Sequence, residues 1–126
     1  MTALALLGVA LAGALGAPAR FLLERAVQSR HAGPFPWGTL AVNITGSFVL
    51  GVLTGLAAHH GFGGAPRVWL TTGLCGAFTT FSTFTWETLQ LVEAGELRLA
   101  AGNVAASVAA GLTAAAAGTS LVYVLS

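Results

Sequence analysis

The residues from Gly73 to Thr85 are the part of this chain best equipped for chemistry. Six of the ten residues from Thr79 to Thr88 carry hydroxyls, and Phe78, Phe81 and Phe84 recur among them at a spacing of three. Hydroxyls are neutral groups that both donate and accept hydrogen bonds. A phenyl ring has a negative face and a positive edge. Ring edges beside hydroxyl donors can stabilise an anion without gripping it as a full positive charge would. Two further sets extend this polar character. Thr39, Asn43, Ser47, Gly51 and Gly55 recur every four residues, opposite Leu40, Ile44, Phe48 and Val52. Asn103, Ser107 and Gly111 repeat the same spacing later in the chain. Residues four apart share a helix face, so the three sets predict a file of neutral polar groups. Hydrolytic chemistry is not expected: there is no Ser/His/Asp set and no phosphate-binding glycine loop, and an enzyme is not the reading. His59-His60 has no third ligand nearby and reads as a loop. The single Cys75 excludes an internal disulfide and a cysteine-built metal site.

The elements that position these groups follow from the scarcity of charge. Among 126 residues there is no Lys and no Asp, and 7% of the chain is charged against 56% hydrophobic. A soluble domain carries about 25% charge, so this chain cannot cover a water-facing surface. Such hydrophobicity also excludes intrinsic disorder. A net charge of +1 leaves no electrostatic footprint for nucleic acid. The charges bound neutral runs at 1–19, 31–66, 68–86 and 99–126, and about 20 mostly apolar residues suffice for one membrane-crossing helix. Period-2 alternation is absent, so strands are not expected. The reading is an all-α membrane protein, a single domain over 1–126 with four transmembrane helices at roughly 2–28, 37–58, 67–93 and 97–125. Trp37, Trp69 and Tyr123 fall at helix ends, where amphipathic rings favour the headgroup level.

Leu6 to Leu15 looks like the apolar core of a signal peptide, but no basic segment precedes it and the apolar pattern continues through Phe21-Leu22-Leu23. A retained first helix is expected. Four spans place both termini on the side of Arg67, opposite Arg25, Arg30 and Arg98, and the positive-inside rule then puts the termini outside.

The third helix is the unusual one. β-branched and hydroxyl residues just after Gly73 and Gly76 make poor helix sequence. A break is expected around Gly76–Thr80, near the middle of the span. Irregular backbone at membrane depth must be buried in protein or line a cavity, and its freed carbonyls make ready ion sites. Asn43 needs several partners for its amide, whereas Ser47, Gly51 and Gly55 read as a small-residue packing seam. Glu87 is expected to pair with an Arg.

Gly-Ala-Phe-Thr-Thr-Phe-Ser-Thr-Phe at 76–84, with Pro36-Trp37-Gly38-Thr39-Leu40-Ala41-Val42-Asn43-Ile44-Thr45-Gly46-Ser47 upstream, resembles the CrcB/Fluc fluoride channel family. The resemblance spans essentially the whole chain. It implies a passive fluoride channel of the bacterial inner membrane, multi-pass, that lowers cytoplasmic fluoride. It also implies a homodimer of subunits in opposite orientations with two pores. Phe81 and Phe84 are then the anion-facing rings, with the Asn43 amide near them. Thr80, Ser82, Thr83 and Ser107 are candidates for the polar path, and Arg20 for the vestibule. The carbonyls of Gly76 and Thr79 from both subunits are implied to hold a central structural sodium ion. Two departures stand out: Gly-Ala at 76–77 where the family often has Gly-Gly, and Gly111 where another hydroxyl is expected. The principal alternative is a small dual-topology, proton-coupled multidrug exporter. That function needs a carboxylate deep in the first helix, and residues 1–19 contain none. A purely structural membrane subunit leaves the hydroxyl–Phe run and Asn43 unexplained.

Overall fold

Long apolar runs rich in Ala and Leu fold as helices, and helices are the only regular elements in the computed structural model, which describes residues 2–126. Its elements are α1 (Ala3–Gln28), α2 (Trp37–His60), α3 (Gly64–Val68), a π-helical stretch (Trp69–Cys75), α4 (Gly76–Phe78), α5 (Phe81–Glu93) and α6 (Leu97–Leu125). No strand occurs among the described residues. α1, α2 and α6 are each long and apolar enough to cross a membrane, by length and composition. α1 turns Leu4, Leu6, Leu7, Leu11 and Leu15 outward, as a helix bathed in lipid can.

The ends of the helices are set by local chemistry. The Thr2 hydroxyl accepts from the Ala5 amide at 3.1 Å and caps α1. α2 begins after Pro36, which offers no capping side chain. Gln28 of α1 substitutes for one: its Oε1 accepts from the Gly38 amide at 2.9 Å, and its Nε2 donates to the Phe35 carbonyl at 3.2 Å. α2 ends at Gly61 in the left-handed conformation (φ 69°), a position that glycine occupies without steric cost. The helix therefore runs through His59 and His60, past the expected loop boundary. His60 Nε2 lies 2.6 Å from the Ser126 hydroxyl, and the His59 ring meets Tyr123 edge-on.

Two close pairings organise the rest. α2 packs along α6, where a Cβ added at Gly51 would strike the Ala115 carbonyl and one at Gly118 the Phe48 carbonyl. Missing side chains let the two backbones approach. α1 packs on the π-helical stretch in the same way: a Cβ at Gly73 would lie 2.8 Å from the Val9 carbonyl. Ala77 is accommodated because α1 presents Gly13 and Gly16 to it; a methyl at Gly16 would stand 3.3 Å from its Cβ.

Trp69 packs against α1. Its indole lies against Gly8, and its Nε1 is buried with no hydrogen-bond partner. Gly8 leaves the slot that the indole fills. Trp37 is 41% exposed; it stacks on His31 and meets Phe35 at a tilt of 53° at the opening of α2.

Candidate functional site

The helical path from Gly64 stops at Phe78. Thr79 (φ −80°, ψ 159°) and Thr80 (φ −146°, ψ 121°) are extended, and helix resumes at Phe81. Local competition explains the stop. The Thr79 hydroxyl and the Thr79 amide both donate to the Cys75 carbonyl, each at 2.9 Å, so the side chain duplicates the helical bond. Thr80 is β-branched and favours extended backbone. Its hydroxyl then caps α5 by accepting from the Thr83 amide at 3.1 Å.

Extended backbone inside an apolar body needs partners for its peptide groups. Asn43 supplies both. Its Nδ2 donates to the Thr80 carbonyl at 2.9 Å, and its Oδ1 accepts from the Thr80 amide at 2.9 Å. The amide thus acts as one short rung of sheet between α2 and the interruption. Gly46, one turn on, leaves room for the Thr79 methyl group, which a Cβ there would overlap.

The same bonds release two acceptors. Thr80 N–H would close a helical bond on the Gly76 carbonyl, but it goes to Asn43. Thr83 N–H would close one on the Thr79 carbonyl, but it goes to the Thr80 hydroxyl. Both carbonyls therefore sit at a helix break without their usual donors.

A cavity of about 400 Å³ lies beside the interruption. It brings together Asn43, Ser47, Gly76, Thr79, Thr80, Phe81, Phe84, Ser107 and Gly111, with Gly46, Leu50, Thr71, Cys75 and Val108 completing the wall. No lining residue is charged. The Phe81 and Phe84 rings stand 5.8 Å apart, tilted by 46°, and Phe81 is 79% exposed.

Three of the residues named for the path or vestibule lie outside this lining: Ser82, Thr83 and Arg20. Helical rotation of about 100° per residue accounts for the first two. Phe81 and Phe84 share a face, and the two residues between them turn away from it. Ser82 Oγ remains 3.4 Å from the Thr80 hydroxyl. Arg20 is on α1, half-exposed.

Other positions took on unexpected roles. Glu87 bonds to the buried hydroxyl of Thr39 in the first turn of α2, not to an Arg. The positive end of a helix suits a carboxylate. Asn103 is 1% exposed and links Thr88 to Ser107; its place on a polar face with Ser107 was the signal for it. Thr71 joins the cavity through the wider π-helical turn, since it is five residues before Gly76. An α-helical count gives no hint of that.

The family model described as CrcB-like protein, Camphor Resistance (CrcB), matches residues 7–119. The fluoride-specific ion channel FluC 1 of Streptomyces avermitilis is 55% identical over 109 residues, which are 86% of this chain and 88% of the relative. That of Frankia casuarinae is 50% identical over 117 residues, again 86% and 88%. The fluoride-specific ion channel FluC of Nitrobacter winogradskyi is 41% identical over 121 residues, 95% of this chain and 96% of the relative.

Proposed function

The chain belongs to the CrcB family, and from that premise we propose that it is a fluoride-selective channel for passive export across the bacterial inner membrane. The observation that carries the reading is the uncharged cavity, in which Asn43, Ser107, Phe81 and Phe84 converge beside extended backbone. Fluoride is small and strongly hydrated, so a pore must replace its water with donors. Binding must admit the ion and still release it. The Ser107 hydroxyl, the second N–H of the Asn43 amide and the ring edges are donors of modest strength. None carries a full charge that would trap the ion.

The fourth crossing is assigned to residues 64–93, with the interruption at Thr79–Thr80 dividing it into two half-helices. Residues 1–126 are then a single four-helix membrane domain. The protein works as a homodimer of oppositely oriented subunits. Phe81, 79% exposed on one protomer, and the open side of the cavity favour completion by a second copy. Ser82, Thr83 and Arg20 serve the approaches to the cavity. The Gly76 and Thr79 carbonyls fit a structural sodium ion, because each has lost its helical donor. Unwound carbonyls at a helix C-terminus are oxygen ligands of the right kind. Two per subunit call for the partner's pair as well. When bound, the sodium supplies positive charge at a distance from the anion path.

Purified protein in liposomes tests the reading. Fluoride efflux without a proton gradient, and chloride efflux below detection, is the expected result. Flux that requires a proton gradient would replace the channel with an exchanger.

A further inference from the structure

Behind the cavity wall, a chain of directed hydrogen bonds joins two of its lining residues. The Ser107 hydroxyl donates to Asn103 Oδ1 at 3.5 Å. Asn103 Nδ2 donates to the Thr88 hydroxyl at 2.9 Å. The Thr88 hydroxyl donates to the Phe84 carbonyl at 2.7 Å. Asn103 does not line the cavity, and it is 1% exposed. A buried amide is costly unless bonded, and an apolar side chain would fill the same position between α5 and α6. The amide is held instead by its two ends, one toward each cavity residue.

We propose that Asn103 is a positioning residue for conduction, which holds the Ser107 hydroxyl as a releasable donor and ties α5 at Phe84 to α6. The lengths of the links set the order of release. Hydrogen bonds weaken toward 3.5 Å, so the Ser107 link is the weakest of the three. An anion in the cavity can turn the Ser107 proton toward itself while Asn103 stays anchored on Thr88. When the anion leaves, Oδ1 accepts the hydroxyl's hydrogen bond again, and the half-buried hydroxyl is not left unpaired. Phe84 keeps its place because its carbonyl carries the far end of the chain. This inference rests on the fluoride-channel reading of the same cavity.

The test compares Asn103→Leu, Thr88→Val, Thr88→Ser and the double variant Asn103→Leu/Thr88→Val by fluoride flux in proteoliposomes, with melting and elution profiles recorded for each. Asn103→Leu and Thr88→Val are each expected to lower flux about 10-fold, the smaller end of what loss of an orienting partner costs at metal sites. Each also raises the fluoride concentration for half-maximal flux. Thr88→Ser, which keeps the hydroxyl, restores both readouts. The double variant is no worse than the poorer single one, because both cut one chain. Unchanged half-saturation in both single variants, additive losses in the double, or failure of Thr88→Ser to restore flux would overturn the proposal. Should Asn103→Leu not fold, the Val and Ser variants at Thr88 decide it alone. A wild-type protein that passes no fluoride would instead overturn the channel reading.

Discussion

The polar stripe of α2 has two ends that do opposite things. At one end, Thr39 binds Glu87 and Asn43 binds the extended backbone at Thr80. At the other, Gly51 and Gly55 press against the backbone of α6 around Ala115 and Thr119. Ser47 lies between them, in the cavity wall. The spacing is four residues throughout. What differs is the partner. A continuous helix has satisfied its own peptide groups, so its neighbour can be small, and the Thr119 hydroxyl adds one bond to the Gly51 carbonyl at 2.9 Å. An interrupted segment has not, so its neighbour must bring donors and acceptors. Gly51 and Asn43 on one stripe therefore report the state of the backbone that each faces.

Four substitutions test that contrast. Gly51→Leu attacks the dry end. Its Cβ meets the Ala115 carbonyl, and neither backbone can yield cheaply. A loss of about 3 kcal/mol is expected, the upper part of the usual overpacking range, visible as a fall in melting temperature and in recovered protein. Melting like the wild type would mean that the seam is looser than its geometry.

Asn43→Asp attacks the wet end. It removes the donor to the Thr80 carbonyl and sets a carboxylate oxygen against it. Leaving a buried carbonyl unpaired costs about 1–3 kcal/mol. Flux is expected to fall about 100-fold, the lower end of what loss of an oriented donor costs in enzyme sites. Fluoride efflux measured beside the melting temperature separates the two effects. Full flux from an ionised Asp would show that the rung of sheet is dispensable.

Phe81→Ile should leave the protomer fold intact, since the ring is 79% exposed on it. Flux falls about fivefold, as the loss of roughly 1 kcal/mol of aromatic interaction implies. Circular dichroism and efflux measured together check this, and undiminished flux would remove the ring from the path. Gly111→Ser has the smallest effect. Its Cβ would lie 3.7 Å from Ser47 Oγ, an ordinary contact. The added hydroxyl faces a cavity of neutral donors, so flux changes by less than about threefold and stability stays within about 0.5 kcal/mol. A large loss of either kind would place Gly111 in the packing seam with Gly51.

Much of this was legible in the chain because it follows from composition and local competition. Scarce charge and long apolar runs require a membrane. Hydroxyl and β-branched residues after Gly73 and Gly76 compete with the helix, and Thr79 and Thr80 are extended. The spacing of Ser47, Gly51 and Gly55 announced a packing stripe, and α6 lies against its glycines. These are short-range effects, written within a turn or two of sequence.

Tertiary structure decided the partners. Nothing near Asn43 in sequence says that its amide closes on Thr80, 37 residues away. Nothing near Glu87 in sequence points to Thr39, 48 residues away. Trp69 fits an interfacial pattern, but nothing near it in sequence says that its ring meets Gly8 of α1. Ser82 and Thr83 carry the right groups, but helical rotation turns them from the cavity that Phe81 and Phe84 line. The sequence by itself determined which peptide groups and side chains would need partners. Which groups met that need depended on how the helices crossed, because a hydrogen bond forms only where packing brings donor and acceptor within reach.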